Sequence, residues 1–234
     1  MSSKTDRLWI ASESGAGTKL AELQIRIANR LKLGLYSKLV RYGLSRDLTV
    51  AFEKPSAKIP ISVRRATDSD LRAVLAIGEK DTLADKLEIT WRRAFVERDA
   101  TGGFVAVDER NNAPCYVQWL FGAADNKFVQ ELGWFPLLKR GEALLENAYT
   151  PSQYRGLGIM SAAMAMIAEH APEVGASEVM TFVDQQNIAS LKGCQRAGFY
   201  PSMLHRRMTL AFGLLKWNEF EPFPKDDPRR AIRF

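Results

Sequence analysis

Residues 146–160, Glu-Asn-Ala-Tyr-Thr-Pro-Ser-Gln-Tyr-Arg-Gly-Leu-Gly-Ile-Met, read as a strand end, a tight glycine turn and a helix start. Leu144, Leu145, Ala148 and Tyr149 make an apolar run suited to a buried strand. Pro151 and Ser152 end it. Gly156 and Gly158 follow, then an Ala/Met-rich helix over roughly 159–171 that Pro172 stops.

Backbone geometry gives this arrangement a chemistry. The first N–H groups of a helix have no partner within the helix. With the helix dipole they attract a phosphate or pyrophosphate. Glycines remove the Cβ atoms that would block a close approach, and Arg155 adds a charge beside the anion. Taken alone, Gly-x-Gly after a strand is also compatible with a plain tight turn. It is not the dinucleotide fingerprint, because a third glycine would fall at Ala162–Ala163. It is not a P-loop, because no Gly-Lys-Ser/Thr is present.

Residues 178–199 supply a second pattern: a strand, Asn187, a short helix, then Gly198-Phe199. Here the chain resembles the GNAT superfamily of acyl-CoA-dependent N-acetyltransferases. That family's pyrophosphate motif, Gln/Arg-x-x-Gly-x-Gly/Ala, is matched by Gln153-Tyr-Arg-Gly156-Leu-Gly158. Asn187 to Phe199 matches the family's later strand–Asn–helix–Gly-Phe signature. The resemblance covers roughly residues 61–217. It implies an α/β (α+β) fold, with a mixed, mostly antiparallel central sheet of about six to seven strands flanked by helices.

The resemblance also implies roles. The N–H groups of Arg155, Gly156, Leu157, Gly158, Ile159 and Met160 would bind pyrophosphate, with Gln153 opening the motif. The backbone of Ala148, Tyr149 and Thr150 would pair with the pantetheine arm like an added strand. One N–H, at Tyr149, would face the thioester carbonyl. Asn187 would hydrogen-bond pantetheine, with Ser190 on the helix behind it. Acetyl-CoA or another acyl-CoA would be the co-substrate, with no metal, and a small-molecule or protein amine the acceptor.

Acyl transfer to an amine needs a base, an oxyanion donor and a proton for the departing thiolate. Glu146 is the candidate base, because it lies on the cofactor strand ten residues before Gly156. A carboxylate half-buried there should have a raised pKa. Its alternative fate is pairing with a buried Arg or facing solvent. Glu142 is a weaker candidate. Many family members carry a Tyr seven residues after the Asn as general acid; here that position is Cys194. Cys194 is either the proton donor or a small buried residue without a role. No His stands where it would activate Cys194 for covalent chemistry. His170 reads as a helix-end residue and His205 as a strand-surface residue.

The remaining chain divides into a basic helical extension and linker over 1–60, the acyltransferase-like domain over 61–217, and a tail over 218–234, whose residues 226–230 are expected to be mobile. Leu20, Leu23, Ile27, Leu31 and Leu35 have helical spacing, so 19–43 is expected to be a helix that Gly34 bends. Residues 44–60 look extended around Pro55 and Pro60. Strands are expected at 61–66, 103–108, 114–121, 141–150, 176–183 and 203–217. Helices are expected near 69–79, 81–98 and 187–196. The aromatics Tyr116, Trp119, Phe121, Trp134 and Phe135 would be core packing or acceptor-pocket lining.

The formal charge is +6 over 234 residues, and Lys19, Arg26, Arg30, Lys32, Lys38, Arg41 and Arg46 face only Glu22 in their segment. This points either to an acidic partner for residues 19–46 or to a solvated face. Nucleic acid is disfavoured for want of a reader motif. No apolar run is long enough to span a membrane, no secretory signal is evident, and the two cysteines show neither metal nor disulfide spacing. Those features favour a cytoplasmic setting; a homodimer is compatible with them. Two rival functions stay open: an acyltransferase that draws its acyl group from an acidic carrier protein, and a non-catalytic acyl-CoA-binding module.

Overall fold

The computed structural model describes residues 34–76, 82–97 and 102–234. In chain order its elements are β1 (Tyr36–Asp47), β2 (Ile61–Arg65), α1 (Asp68–Val74), α2 (Leu83–Glu97), β3 (Gly103–Asp108), β4 (Ala113–Gly122) and α3 (Asn126–Leu132). There follow β5 (Gly141–Tyr149), α4 (Ile159–Ala168), β6 (Ala176–Asp184), α5 (Ile188–Arg196), β7 (Tyr200–Leu210) and β8 (Leu215–Pro222). The strands form one sheet in the order β2-β3-β4-β5-β6-β1-β7-β8. All neighbours are antiparallel except β5 and β6. The mixed α/β architecture agrees with the expectation, with eight strands among the described residues instead of six to seven.

Apolar cores lie on both faces of the sheet. One joins Tyr116, Leu145 and Val179 to Ile159, Ala163 and Ile167 of α4 and to Leu191 and Cys194 of α5. The other joins Val117, Trp119, Leu144 and Phe182 to Leu71 and Val74 of α1 and Ile89, Phe95 and Val96 of α2. The Ala/Met composition of α4 suits its place, because small side chains let the helix lie close on the strands. Its first turn is fixed by Gly158, whose φ of 75° favours glycine. Thr67 caps α1 in a reciprocal pair with Asp70.

The feature that positions a site is the parallel pairing of β5 with β6, the one such pair among the described residues. It runs from Gly141↔Ala176 to Leu144↔Met180. Beyond that point β5 stays bonded to β4 as far as Tyr149, and β6 stays bonded to β1 as far as Asp184. Each strand keeps its outer neighbour, so the sheet opens into a cleft between them. The start of α4 lies near the mouth of this cleft.

Three expectations need correction. Residues 36–43, expected to be helical, belong to β1, which lies between β6 and β7; residues 19–33 of that expected helix lie outside the described residues. The expectation failed because two of the buried residues of β1, Arg41 and Arg46, are arginines, so its sequence imitates a basic helix face instead of a strand. The segment 36–47 is thus part of the sheet, not of an appended extension. Second, 203–217 is not one strand. Ala211, Phe212 and Gly213 all take left-handed φ values of 49°, 57° and 82°, and they turn the chain into the β7–β8 hairpin. Ala and Phe seldom adopt that region, so the turn had little sequence signature. Third, the end of the chain is seated, not mobile. Gln195 on α5 donates to the Ile232 carbonyl and accepts from the Phe234 N–H. The Phe234 ring packs 5.1 Å from that of Tyr42.

Among the described residues, no helix is long and apolar enough to cross a membrane, and no cluster of His, Cys, Asp and Glu could hold a metal.

Candidate active site

The open end of the β5–β6 pair encloses a cavity of about 170 Å³. Glu146, Asn147 and Ala148 line it from β5, Thr181 to Asp184 from β6, and Met160 and Met164 from α4. Asn187, Ser190 and Cys194 close the α5 side, with Arg92 and Gln118 on the remaining walls. Of the residues expected from the sequence, Glu146, Ala148, Met160, Asn187, Ser190 and Cys194 line it, whereas Tyr149, Thr150, Gln153 and residues 155–159 do not.

β5 is not regular here. Val117 pairs with Tyr149 and Trp119 with Glu146, so Asn147 and Ala148 both oppose Gln118. The extra residue is a bulge, and Asn147 takes φ of 62° within it. A bulge re-aims side chains and ends regular pairing, which suits the point where β5 leaves β6.

Glu146 is part-exposed as a residue, but its Oε2 is enclosed and lacks a hydrogen-bond partner among the described residues. Burial raises its pKa above the ordinary carboxylate value; the charges of Arg41 and Arg92 and the Asn147 N–H oppose the rise. Both arginines are themselves held in place. Arg41 donates to His205 Nδ1 at 3.0 Å and to the Trp134 carbonyl at 2.7 Å, with its guanidinium 5.4 Å from the Phe182 ring. Arg92 donates to the Ala148 carbonyl at 2.7 Å and pairs with Glu88 at 3.1 Å. A carboxylate between two fixed cations can shed and regain a proton without moving its neighbours.

Cys194 faces the same corner. Burial, then the charge of Glu146, push its thiol up to about 12. It keeps its proton near neutral pH and is a weak acid for a departing thiolate. Tyr116 also reaches this corner: its hydroxyl donates to Gln118 Oε1 at 2.7 Å, and burial holds its pKa well above the usual phenol value.

The glycine turn forms as expected. Gly156 has φ of 79°, and a Cβ there would meet open space, so an anion can approach its backbone. The first helical bond of α4 runs from Ala162 N–H to the Gly158 carbonyl, which leaves the N–H groups of Ile159 and Met160 ahead of the ladder. Gln153 is exposed in the preceding turn, and the Lys58 N–H bonds the Leu157 carbonyl at 2.8 Å.

Several expected contacts are already committed elsewhere. The Arg155 guanidinium pairs with Asp85 at 2.9 Å and Glu88 at 3.4 Å on α2, and its N–H donates to Ser152. It fastens the turn to α2 instead of standing free beside an anion. The carbonyls of Ala148 and Thr150 accept from Arg92 and Arg155, so those two acceptors are engaged. Asn187 Oδ1 caps α5 by accepting from Ser190 N–H at 3.1 Å. His205 is not on the surface. It is fully buried, donates through Nε2–H to Asn218 at 3.0 Å, and stacks on Phe220.

Sequence reasoning missed Asn147, Gln118, Arg92 and Arg41. Asn147 alone carried a signal, as a residue tolerant of left-handed φ inside an apolar strand. The acidic-partner expectation loses two of its seven cations, since Arg41 and Arg46 are only 9% and 6% exposed.

Comparison with known proteins agrees with this picture. The family model described as an acetyltransferase (GNAT) domain matches residues 61–200. No curated protein matches. Among solved structures, a GCN5-related glucosamine N-acetyltransferase region of a fungal multi-domain β-N-acetylglucosaminidase shares 16% identity at a TM-score of 0.52, covering 83% of this chain and 23% of that one. A GCN5-related N-acetyltransferase from Sphaerobacter thermophilus shares 18% identity at 0.44, covering 77% and 56%. A Drosophila protein shares 14% at 0.47, covering 80% and 58%. The chain thus spans between about a quarter and three fifths of the lengths of these structures. Because the domain match takes in more than half of the chain, the protein belongs to the GNAT acetyltransferase family.

Proposed function

We propose that the protein is an N-acyltransferase that moves an acetyl group from acetyl-CoA directly to an amine. The observation that carries this reading is the enclosed, unpartnered Glu146 Oε2 at the cavity where β5 and β6 part, beside the free N–H groups that open α4.

The residues present fit acyl-CoA. The N–H groups from Gly156 to Met160 would hold its pyrophosphate, with Gly156 giving open access. Met160, Met164, Asn187 and Ser190 would line the path of the pantetheine arm. When bound, the thioester supplies the activated acyl carbon. Glu146 takes the amine proton, and its raised pKa makes it a better base than an ordinary carboxylate. The charges of Arg41 and Arg92 oppose that rise and favour the ionised form. In the net transfer the N–C bond forms, the C–S bond breaks, and the amine proton leaves on Glu146 or through it to water. Cys194 serves as packing, and the thiolate takes its proton from water.

The test follows free-thiol release from acetyl-CoA against a broad panel of amines, for the wild type and Glu146→Gln. CoA binding of both is measured by calorimetry. Amine-dependent turnover that drops by about 10²- to 10⁴-fold in Glu146→Gln, with unchanged CoA affinity, is the expected result. Full turnover by Glu146→Gln removes the base; absence of CoA binding by the wild type removes the donor.

A further inference from the structure

Asn147 is the most anomalous polar residue of the cavity. It is 3% exposed, and neither Nδ2 nor Oδ1 of its side chain has a hydrogen-bond partner among the described residues. Its backbone is held at φ of 62° by the bulge opposite Gln118. Leaving a buried amide unpaired at both ends is costly. A sequence free to choose would place Gly here, which meets the same φ without an unpaired group. The residue lines the cavity next to Glu146. An amide that is buried and unpaired in the wall of a cavity is provisioned for a ligand that supplies both an acceptor and a donor.

One pair of groups in acyl transfer has that pattern at adjacent atoms: the carbonyl oxygen of the acyl group and the N–H of the amine that adds to its carbon. We propose that the Asn147 side-chain amide grips the acyl end of the donor, with Nδ2–H donating to the acyl carbonyl oxygen and Oδ1 accepting an N–H of the amine. The position beside Glu146 serves this arrangement, since the base and the carbonyl donor must face the same reacting atoms. Asn147 thereby aligns the amine while Glu146 receives its proton. This inference rests on the acyl-CoA reading above.

The experiment compares binding of acetyl-CoA and of free CoA, which differ only in the acyl group. It uses the wild type, Asn147→Gly and Asn147→Asp, by calorimetry without any amine. Asn147→Gly keeps the left-handed backbone and removes an unpaired amide, so the fold is retained. Asn147→Asp keeps the shape and loses the donor. The wild type is expected to bind acetyl-CoA several-fold more tightly than CoA. Both variants are expected to lose that preference while their CoA affinity stays within twofold. With an amine present, kcat of Asn147→Gly should fall by roughly 10² or more.

An unchanged acetyl preference in both variants overturns the proposal. Equal weakening of CoA and acetyl-CoA overturns it too, by placing Asn147 on the pantetheine arm. A wild type that binds both ligands without preference likewise leaves the carbonyl contact refuted. A wild type that binds neither ligand is a different result, because it refutes the acyl-CoA reading itself.

Discussion

His205 links three strands and a loop through one neutral ring, and acid should release it. Its Nδ1 accepts from Arg41 on β1, its Nε2–H donates to Asn218 on β8, and Arg207 on β7 stands nearby. Arg207 and Asn218 both donate to the Gly133 carbonyl, and Arg41 donates to that of Trp134. Burial first, then the two arginine charges, lower the His205 pKa to about 4, against the partial support of Asn218. The sign follows from proton uptake. The unfolded chain binds this proton near pH 6.5 and the native state only near 4, so stability is full above 6.5 and is lost as pH falls toward 4. Between about pH 7.5 and pH 4.5, linkage with these two values removes on the order of 2–3 kcal/mol. The perturbation is His205→Gln, whose amide can replace one or both hydrogen bonds but cannot titrate in this range. Urea unfolding of both proteins at the two pH values isolates the effect, because every other titrating group is shared. The wild type should lose on the order of 2–3 kcal/mol more than the variant. Equal losses would refute the reasoning. So would a His205 ring resonance that titrates near pH 6.5, and it is easily followed because the chain has only two histidines.

Other consequences are checked as simply. Glu146→Gln should raise the melting temperature at neutral pH, because a carboxylate with a raised native pKa opposes folding wherever it is ionised. The gain should shrink as pH falls below the native pKa, and a melting temperature lower at every pH would contradict the desolvation argument. Cys194→Ala should leave turnover within about twofold and cost roughly 1 kcal/mol of stability, read from paired kinetic and unfolding assays. Gly158→Val should weaken CoA binding tenfold or more, since a β-branched residue resists the φ of 75° that starts α4. Arg155→Ala should change CoA affinity less than about threefold, because its guanidinium is already engaged by Asp85 and Glu88; a large loss in calorimetry would restore it as an anion contact.

What the sequence discloses is what is encoded locally. The β5–turn–α4 unit was legible because Pro151, Gly156 and Gly158 mark its joints and Ile159 to Ala168 carry its burial. The helix after Asn187 was legible for the same reason, since an N-cap side chain bonds a backbone N–H three residues on. β1 was not legible. Its sides are set by partners at 178–184 and 200–210, and its buried Arg41 and Arg46 imitate a surface charge pattern. The cavity was half legible. Glu146 could be placed by its distance from the glycines, but Arg41 and Arg92 reach it from β1 and α2, separations no local pattern records. Asn147 escaped because a bulge depends on register with β4, and a short apolar strand reads the same with or without one.

The place of β1 also sets an order of assembly. The strand that leaves the ribosome first among the eight is one of the last that can be completed. Its partners lie at β6 and β7, and Arg41 finds His205 164 residues downstream. Until residue 210 has been made, one long edge of β1 has no neighbour. An unpaired strand edge is a template for the wrong partner, and pairings this distant in sequence close slowly. Co-translational folding of this protein is therefore expected to stall at a split half-sheet until the C-terminal hairpin arrives. Chains halted at Arg196 should be protease-sensitive within 36–47, and full-length chains protected there; protection of the halted chains would show that β1 docks without β7.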